Sequence, residues 1–153
     1  MMYLWRVESD RSRAQYVKGK GILAESGRSV PYNPRGWKET RQLGRGLMAH
    51  LDWSNRVPTP FVSVSSNRDW VFDQARRRCR EGETGVRVYK IKVPDLTSYH
   101  KKSGRRVTCM KLKTWLNRAG CGIPEYADFQ SSEDEYLFLH HIPKRLIVKV
   151  RKV

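Results

Sequence analysis

The chain has 153 residues, enough for one substantial core and too few for two comfortable ones. A hydrophobic content of 39% with five Trp excludes a disordered basic tail, and no run approaches the ~20 apolar residues of a bilayer-spanning helix. A formal charge of +16 imposes self-repulsion that an anionic counterpart would offset: nucleic acid first, an acidic protein surface second, an anionic membrane third.

Cys79, Cys109 and Cys121 are odd in number and form no CxxC pair, so neither a disulfide framework nor a zinc site is indicated. The opening MMYLWRVESDR lacks the apolar core of a signal peptide, so the chain as it stands is expected to be cytoplasmic or nuclear, or to be delivered there as an effector or toxin domain. Internal repeats and low-complexity segments are absent.

Met2 to Val7 is a run of strand formers with Arg6 at its middle. Such an Arg is either an outward-facing edge charge or a guanidinium fork aimed at an anion, since burying it unpaired costs desolvation. Arg11 to Val17 is expected to form a short helix, and Ile22 to Ala24 a brief apolar piece between glycines. From Ser29 to Gly46 the Arg, Gly, Pro and Asn content, with Tyr32 and Trp37, predicts a long loop that lines or covers a site. Leu47 to Leu51 has helical character and carries His50 within its apolar part.

Val57-Pro58-Thr59-Pro60 ends any helix and launches the strand PFVSVSSN. There Ser63 and Ser65 share one face by the period-two rule, as a polar face or as hydrogen-bonding posts in a cleft. Ser66 to Asp69 resembles a capping box and opens a helix to Arg80, with Trp70, Val71, Ala75 and Cys79 inward. Arg76, Arg77, Arg78 and Arg80 form a basic stripe on its outer face. Gly85 to Val93 alternates apolar and basic residues, a half-buried strand ended by Pro94.

Lys101, Lys102, Arg105 and Arg106 make a basic turn around Gly104, and Met110 to Ala119 is expected to be a short helix with Trp115 inward. A loop from Gly120 to Gln130, carrying Tyr126 and Phe129, leads to Glu133, Asp134 and Glu135, directly ahead of the strand-like run Tyr136 to Leu139. A carboxylate at that boundary is held rigidly and partly shielded from water, where its field is stronger. Tyr136 to Leu139 and Leu146 to Val150 read as two strands joined by HHIPKR, with Pro143 in the turn.

Taken in order, LWRVES, LMAHL, PFVSVSSN and EDEYLFLHHIPKRLI resemble the Arg–Ser–Glu signature of the ADP-ribosyltransferase superfamily, in the branch of cholera toxin, pertussis toxin and pierisin. The likeness covers the two ends and the centre of the chain. Val64 stands where that branch often has Thr, and the strong basicity is not general in it. The resemblance implies an α+β class, with two small, mainly antiparallel sheets forming an NAD cleft flanked by short helices and residues 1–153 as one catalytic domain. It implies NAD as substrate, no metal, and transfer of ADP-ribose to a macromolecular acceptor with release of nicotinamide.

By the same resemblance Arg6 would hold an NAD phosphate, Ser63 would brace the nicotinamide-side ribose with Ser65 in support, and His50 would line the site. Glu135 would be the catalytic carboxylate facing an oxocarbenium-like ribose. Glu133, two residues earlier and on the same face if the segment is extended, would meet the acceptor. A Glu at that position is usual where the acceptor is a protein arginine, whereas the +16 charge favours DNA or RNA held by Arg76, Arg77, Arg78, Lys101, Lys102, Arg105 and Arg106. Tyr126 and Phe129 stand either for acceptor recognition or for core packing. Two other functions fit the same residues: a non-catalytic basic nucleic-acid-binding module, which lacks an RNP or zinc-knuckle motif, and an NAD glycohydrolase with water as acceptor.

Overall fold

The computed structural model describes residues 2–52, 54–93, 98–100, 106–127 and 129–153. In chain order the strands are β1 (Met2–Glu8), β2 (Gln15–Val17), β3 (Gly21–Leu23), β4 (Phe61–Ser65), β5 (Arg87–Val93), β6 (Ser98–His100), β7 (Arg106–Lys111), β8 (Glu135–Leu139), β9 (His141–Pro143) and β10 (Ile147–Lys152). The helices are α1 (Gly36–Leu51), α2 (Arg68–Arg80), α3 (Leu112–Arg118) and α4 (Phe129–Glu133). One sheet runs β10-β5-β1-β4-β8-β7-β6 and a second runs β2-β3-β9, with every pairing antiparallel. The architecture is therefore α+β, with two antiparallel sheets and few helices.

Strand alternation decides what lies on each face of the large sheet. Leu4, Val62, Val64, Ile91 and Phe138 point one way and bury Ile22 and Ile142 of the small sheet. Phe61, Leu137 and Leu139 point the other way and cover Leu43, Leu47 and Leu51 of α1 together with Leu112, Trp115 and Leu116 of α3. On that helical side α2 lays Val71 and Ala75 against Val86 and Val88.

The sheet is weakest between β1 and β4. There β1 meets β4 at the single position Trp5↔Ser65, whereas it meets β5 at seven, from Met2↔Val93 to Glu8↔Arg87. The two strands splay apart below Trp5, and the opening becomes the cavity described in the next subsection.

Several sequence-based expectations give way. Arg11 to Val17 holds the strand β2, not a helix, because Tyr16 and Ile22 pair across a tight turn. The expected loop from Ser29 to Gly46 ends at Gly36, where α1 starts; Gly44 and Gly46 weaken its helical signal, but a Cβ at Gly44 would stand a tight 3.1 Å from Cys121 Sγ, and one at Gly46 would be in contact with Phe61 at 3.6 Å. Asn67 caps α2 by accepting the Trp70 N–H, and Cys79 is exposed.

The terminal hairpin does not form. After β8 the chain crosses to the small sheet as β9 and returns as β10 beside β5, with β1 and β4 lying between β5 and β8. Met110 lies within β7 instead of opening α3, and Trp115 is fully buried, its Nε1–H donating to the Leu137 carbonyl at 3.1 Å. Pro94, Lys101, Lys102 and Arg105 fall outside the described residues.

Gly21 fixes the small sheet. Its φ of +115° suits glycine, and a Cβ there would stand 2.1 Å from the Ile142 carbonyl oxygen. Gly21→Ala is expected to lower stability by at least about 2 kcal/mol through strain and loss of the β3–β9 pairing, as read from urea unfolding monitored by Trp fluorescence.

Candidate active site

Glu8 lies two residues beyond Arg6 on β1, hence on the same face, and is wholly buried. Four donors converge on its carboxylate. Arg6 Nε reaches it at 3.5 Å, Arg87 Nη2 at 3.3 Å, the Tyr89 hydroxyl at 3.3 Å and the Tyr16 backbone N–H at 3.1 Å. A buried carboxylate is tolerable only when paired and hydrogen-bonded in this way.

Arg6 in turn bridges the gap in the sheet. Its Nη1 donates to the Ser63 carbonyl at 2.9 Å and its Nη2 to the Ala14 carbonyl at 3.1 Å, so a side chain joins β1 to β4 where the backbone ladder stops. Burial pulls its pKa down, against the field of Glu8, but a guanidinium stays protonated. Of its five N–H groups these contacts use three, and the residue lines the cavity.

Ser63 Oγ is the hub of the second set. It donates to Glu135 Oε2 at 3.1 Å and lies 2.7 Å from His50 Nε2, while His50 Nδ1 lies 2.6 Å from Thr59 Oγ1. Withdrawal from water, reinforced by the charges of Arg6 and Arg13, pushes the His50 pKa down to about 3, so the ring is neutral at pH 7. A neutral ring has one donor and one acceptor. When Glu135 is ionised the Ser63 proton points to it, so His50 Nε2–H donates to Ser63 and Nδ1 accepts from the Thr59 hydroxyl. The order Thr59, His50, Ser63, Glu135 is thus a single directed chain of hydrogen bonds.

Glu135 opens β8 opposite Ser65, which places both on the face that carries Ser63. Burial pushes its pKa up to about 7, with the Ser63 hydroxyl acting in the opposite direction. Ser65 Oγ accepts the Asn67 N–H at 3.0 Å and so holds the start of α2 against the site.

Arg6, His50, Ser63, Ser65 and Glu135 all line one cavity of about 310 Å³. Trp5, Trp70, Arg13 and Arg78 complete its walls. Arg78 leaves the α2 stripe to donate to Ser12 Oγ at 3.0 Å, whereas Arg76 and Arg77 stay outside, paired with Asp73 and Glu81.

Glu133 is elsewhere. It ends α4 instead of extending β8, so the period-two relation to Glu135 does not apply, and it pairs with Lys113 at 2.6 Å away from the cavity lining. Tyr126 is exposed and donates its hydroxyl to the Met48 carbonyl at 3.1 Å, which is neither core packing nor cavity lining. The Phe129 side chain lies outside the described residues.

Glu8, Thr59 and Arg13 escape the sequence-based reading, and Arg78, expected on the outer basic stripe, lines the cavity instead. Glu8 alone carried a signal, as a second charge two places from Arg6 on an apolar strand.

The chain belongs to the DUF7587 family, described as a domain of unknown function, which matches residues 2–153. No curated protein matches it. Among solved structures it is similar to EcPltA, at 15% identity and a TM-score of 0.49 over 97% of this chain and 73% of that one.

Removing the Glu8 carboxylate would leave Arg6 and Arg87 facing each other without their counter-ion. Glu8→Ala is expected to cost about 3 kcal/mol of stability, with a smaller loss for Glu8→Gln, measured by equilibrium urea unfolding.

Proposed function

We propose that this chain has an ADP-ribosyltransferase-like fold and transfers ADP-ribose from NAD to a macromolecular acceptor, releasing nicotinamide. The convergence of Arg6, His50, Ser63 and Glu135 on one cavity, tied together by hydrogen bonds, supports this reading. A volume of about 310 Å³ is at the small end for a ligand site, which suits the nicotinamide and its ribose inside with the rest of the dinucleotide at the rim.

The lining chemistry fits such a ligand. Trp5 and Trp70 offer ring faces, and the guanidiniums of Arg6, Arg13 and Arg78 offer N–H donors to a pyrophosphate. Glu135, once ionised, faces the ribose carbon that gains positive charge as its bond to the nicotinamide nitrogen breaks, the electron pair leaving with nicotinamide. The acceptor's nucleophilic atom then bonds to that carbon and releases its proton. His50, neutral and used at both ring nitrogens, positions Ser63 and is not a proton donor near pH 7. Glu133, engaged by Lys113, gives no reason to prefer a protein arginine, and the +16 charge favours a nucleic-acid base.

Labelled NAD incubated with separate DNA, RNA and protein pools tests this directly. Label is expected on nucleic acid, and Glu135→Gln should slow nicotinamide release by about a hundredfold or more. Equal release by both proteins would remove Glu135 from its role, and no release from either would leave a binding module. The pH profile is a separate expectation. Because Glu135 has a raised pKa of about 7 and acts as the carboxylate, kcat/KM for nicotinamide release should be level above pH 7 and fall about tenfold per pH unit below it. His50, at about 3, adds no second limb in that range.

A further inference from the structure

A second concavity of about 580 Å³ runs along the outer face of α1. Trp37, Arg41 and Arg45 lie on it at four-residue spacing, with Lys38 beside them, on the side of the helix opposite the buried Leu43, Leu47 and Leu51. Arg28 and Val57 rise from the flanking segments. None of the lining residues is acidic, and among the described residues no carboxylate pairs with Arg28, Lys38, Arg41 or Arg45. Trp37 and Val57 are the most exposed large hydrophobics among the described residues, at 69% and 60%. Lys38 Nζ stands 5.9 Å from the Trp37 ring centroid, on one face of the ring. Cations without carboxylate partners beside an exposed Trp are complementary to a phosphate chain with accessible bases, one of which would stack on the other face.

We propose that this α1 groove binds single-stranded nucleic acid, with phosphates on Arg28, Lys38, Arg41 and Arg45 and a base stacked on Trp37. A duplex would satisfy the cations but could not offer a base face to Trp37. The groove adjoins the first cavity: Thr59 lines both, and its hydroxyl donates to His50. A strand seated there runs past the wall formed by Thr59 and His50, and so brings its bases to the mouth of the site containing Glu135. This last step rests on the transferase reading; the binding does not.

The test is fluorescence anisotropy, without NAD, on the full chain and a labelled single strand about 12 nucleotides long, against a duplex of the same sequence. Arg41→Glu with Arg45→Glu is expected to weaken single-strand binding at least about tenfold and to flatten the slope of log affinity against log salt by about 1.4, two phosphate contacts' worth. Trp37→Ala should weaken it about tenfold with the slope unchanged. The charge-matched control, Arg76→Glu with Arg77→Glu on α2, should change affinity by less than about threefold. Equal losses from both double variants would reduce the binding to general electrostatics and overturn the proposal, as would tighter binding of the duplex or full affinity in Trp37→Ala. With NAD added, Arg41→Glu with Arg45→Glu should lose transfer to the strand but keep nicotinamide release to water. A wild type that binds the strand and never releases nicotinamide would sink the transferase reading and leave the groove standing.

Discussion

A carboxylate with no contact to solvent, Glu8, is the constraint on which the site depends. Desolvating an ion costs several kcal/mol, and a hydrophobic residue of similar size would serve stability as well or better. What an apolar residue could not do is hold two guanidiniums at fixed angles. Glu8 sets the Nε edge of Arg6, leaving its Nη groups to reach the carbonyls of Ser63 and Ala14 across the split between β1 and β4. At the cavity, β1 and β4 are therefore tied by an arginine side chain as well as by the Trp5–Ser65 pairing.

The same withdrawal from water moves the two titratable groups of the site in opposite directions. It penalises the imidazolium and the carboxylate alike, so His50 falls to about 3 and Glu135 rises to about 7. Arg6 and Arg13 push His50 further the same way. The outcome is a histidine that never charges in the working range and a carboxylate poised within it, which is the division of labour that a carboxylate-centred reaction needs. A protonated His50 would carry an N–H at Nδ1 as well and could no longer accept from the Thr59 hydroxyl, so keeping it neutral preserves the Thr59 end of the chain.

Much of this was legible in the sequence, and what was not has physical causes. Alternation placed Ser63 and Ser65 together, and the boundary between charge and burial marked the triplet Glu133, Asp134 and Glu135, because both signals are local; only the family resemblance singled out Glu135. Arg6 was legible as an arginine in need of an anion; that the anion is Glu8, with Arg87 and Tyr89 as co-partners, depends on a strand over seventy residues away in sequence. Helix α1 was hidden behind Gly44 and Gly46, whose low propensity is offset by close approach to Cys121 and Phe61, contacts invisible to a local pattern. The terminal hairpin failed because β8 and β10 are each satisfied by other strands, and short apolar runs do not say which partner they take. Glu133 was misplaced by a single turn of helix at the start of β8.

The net charge of +16 is unevenly spent across the surface. On α2 the exposed arginines carry their own acids, Asp73 at i−3 from Arg76 and Glu81 at i+4 from Arg77, the spacings at which opposite charges on a helix meet. On α1, Arg41 and Arg45 stand at a like-charge i, i+4 spacing that destabilises a helix, and no acid answers them. The two helices have the same means of neutralising their cations, and only one uses it. Arg41 and Arg45, left without acids beside an exposed Trp on a groove that shares Thr59 with the carboxylate-bearing cavity, are explained by an anion that approaches from that side.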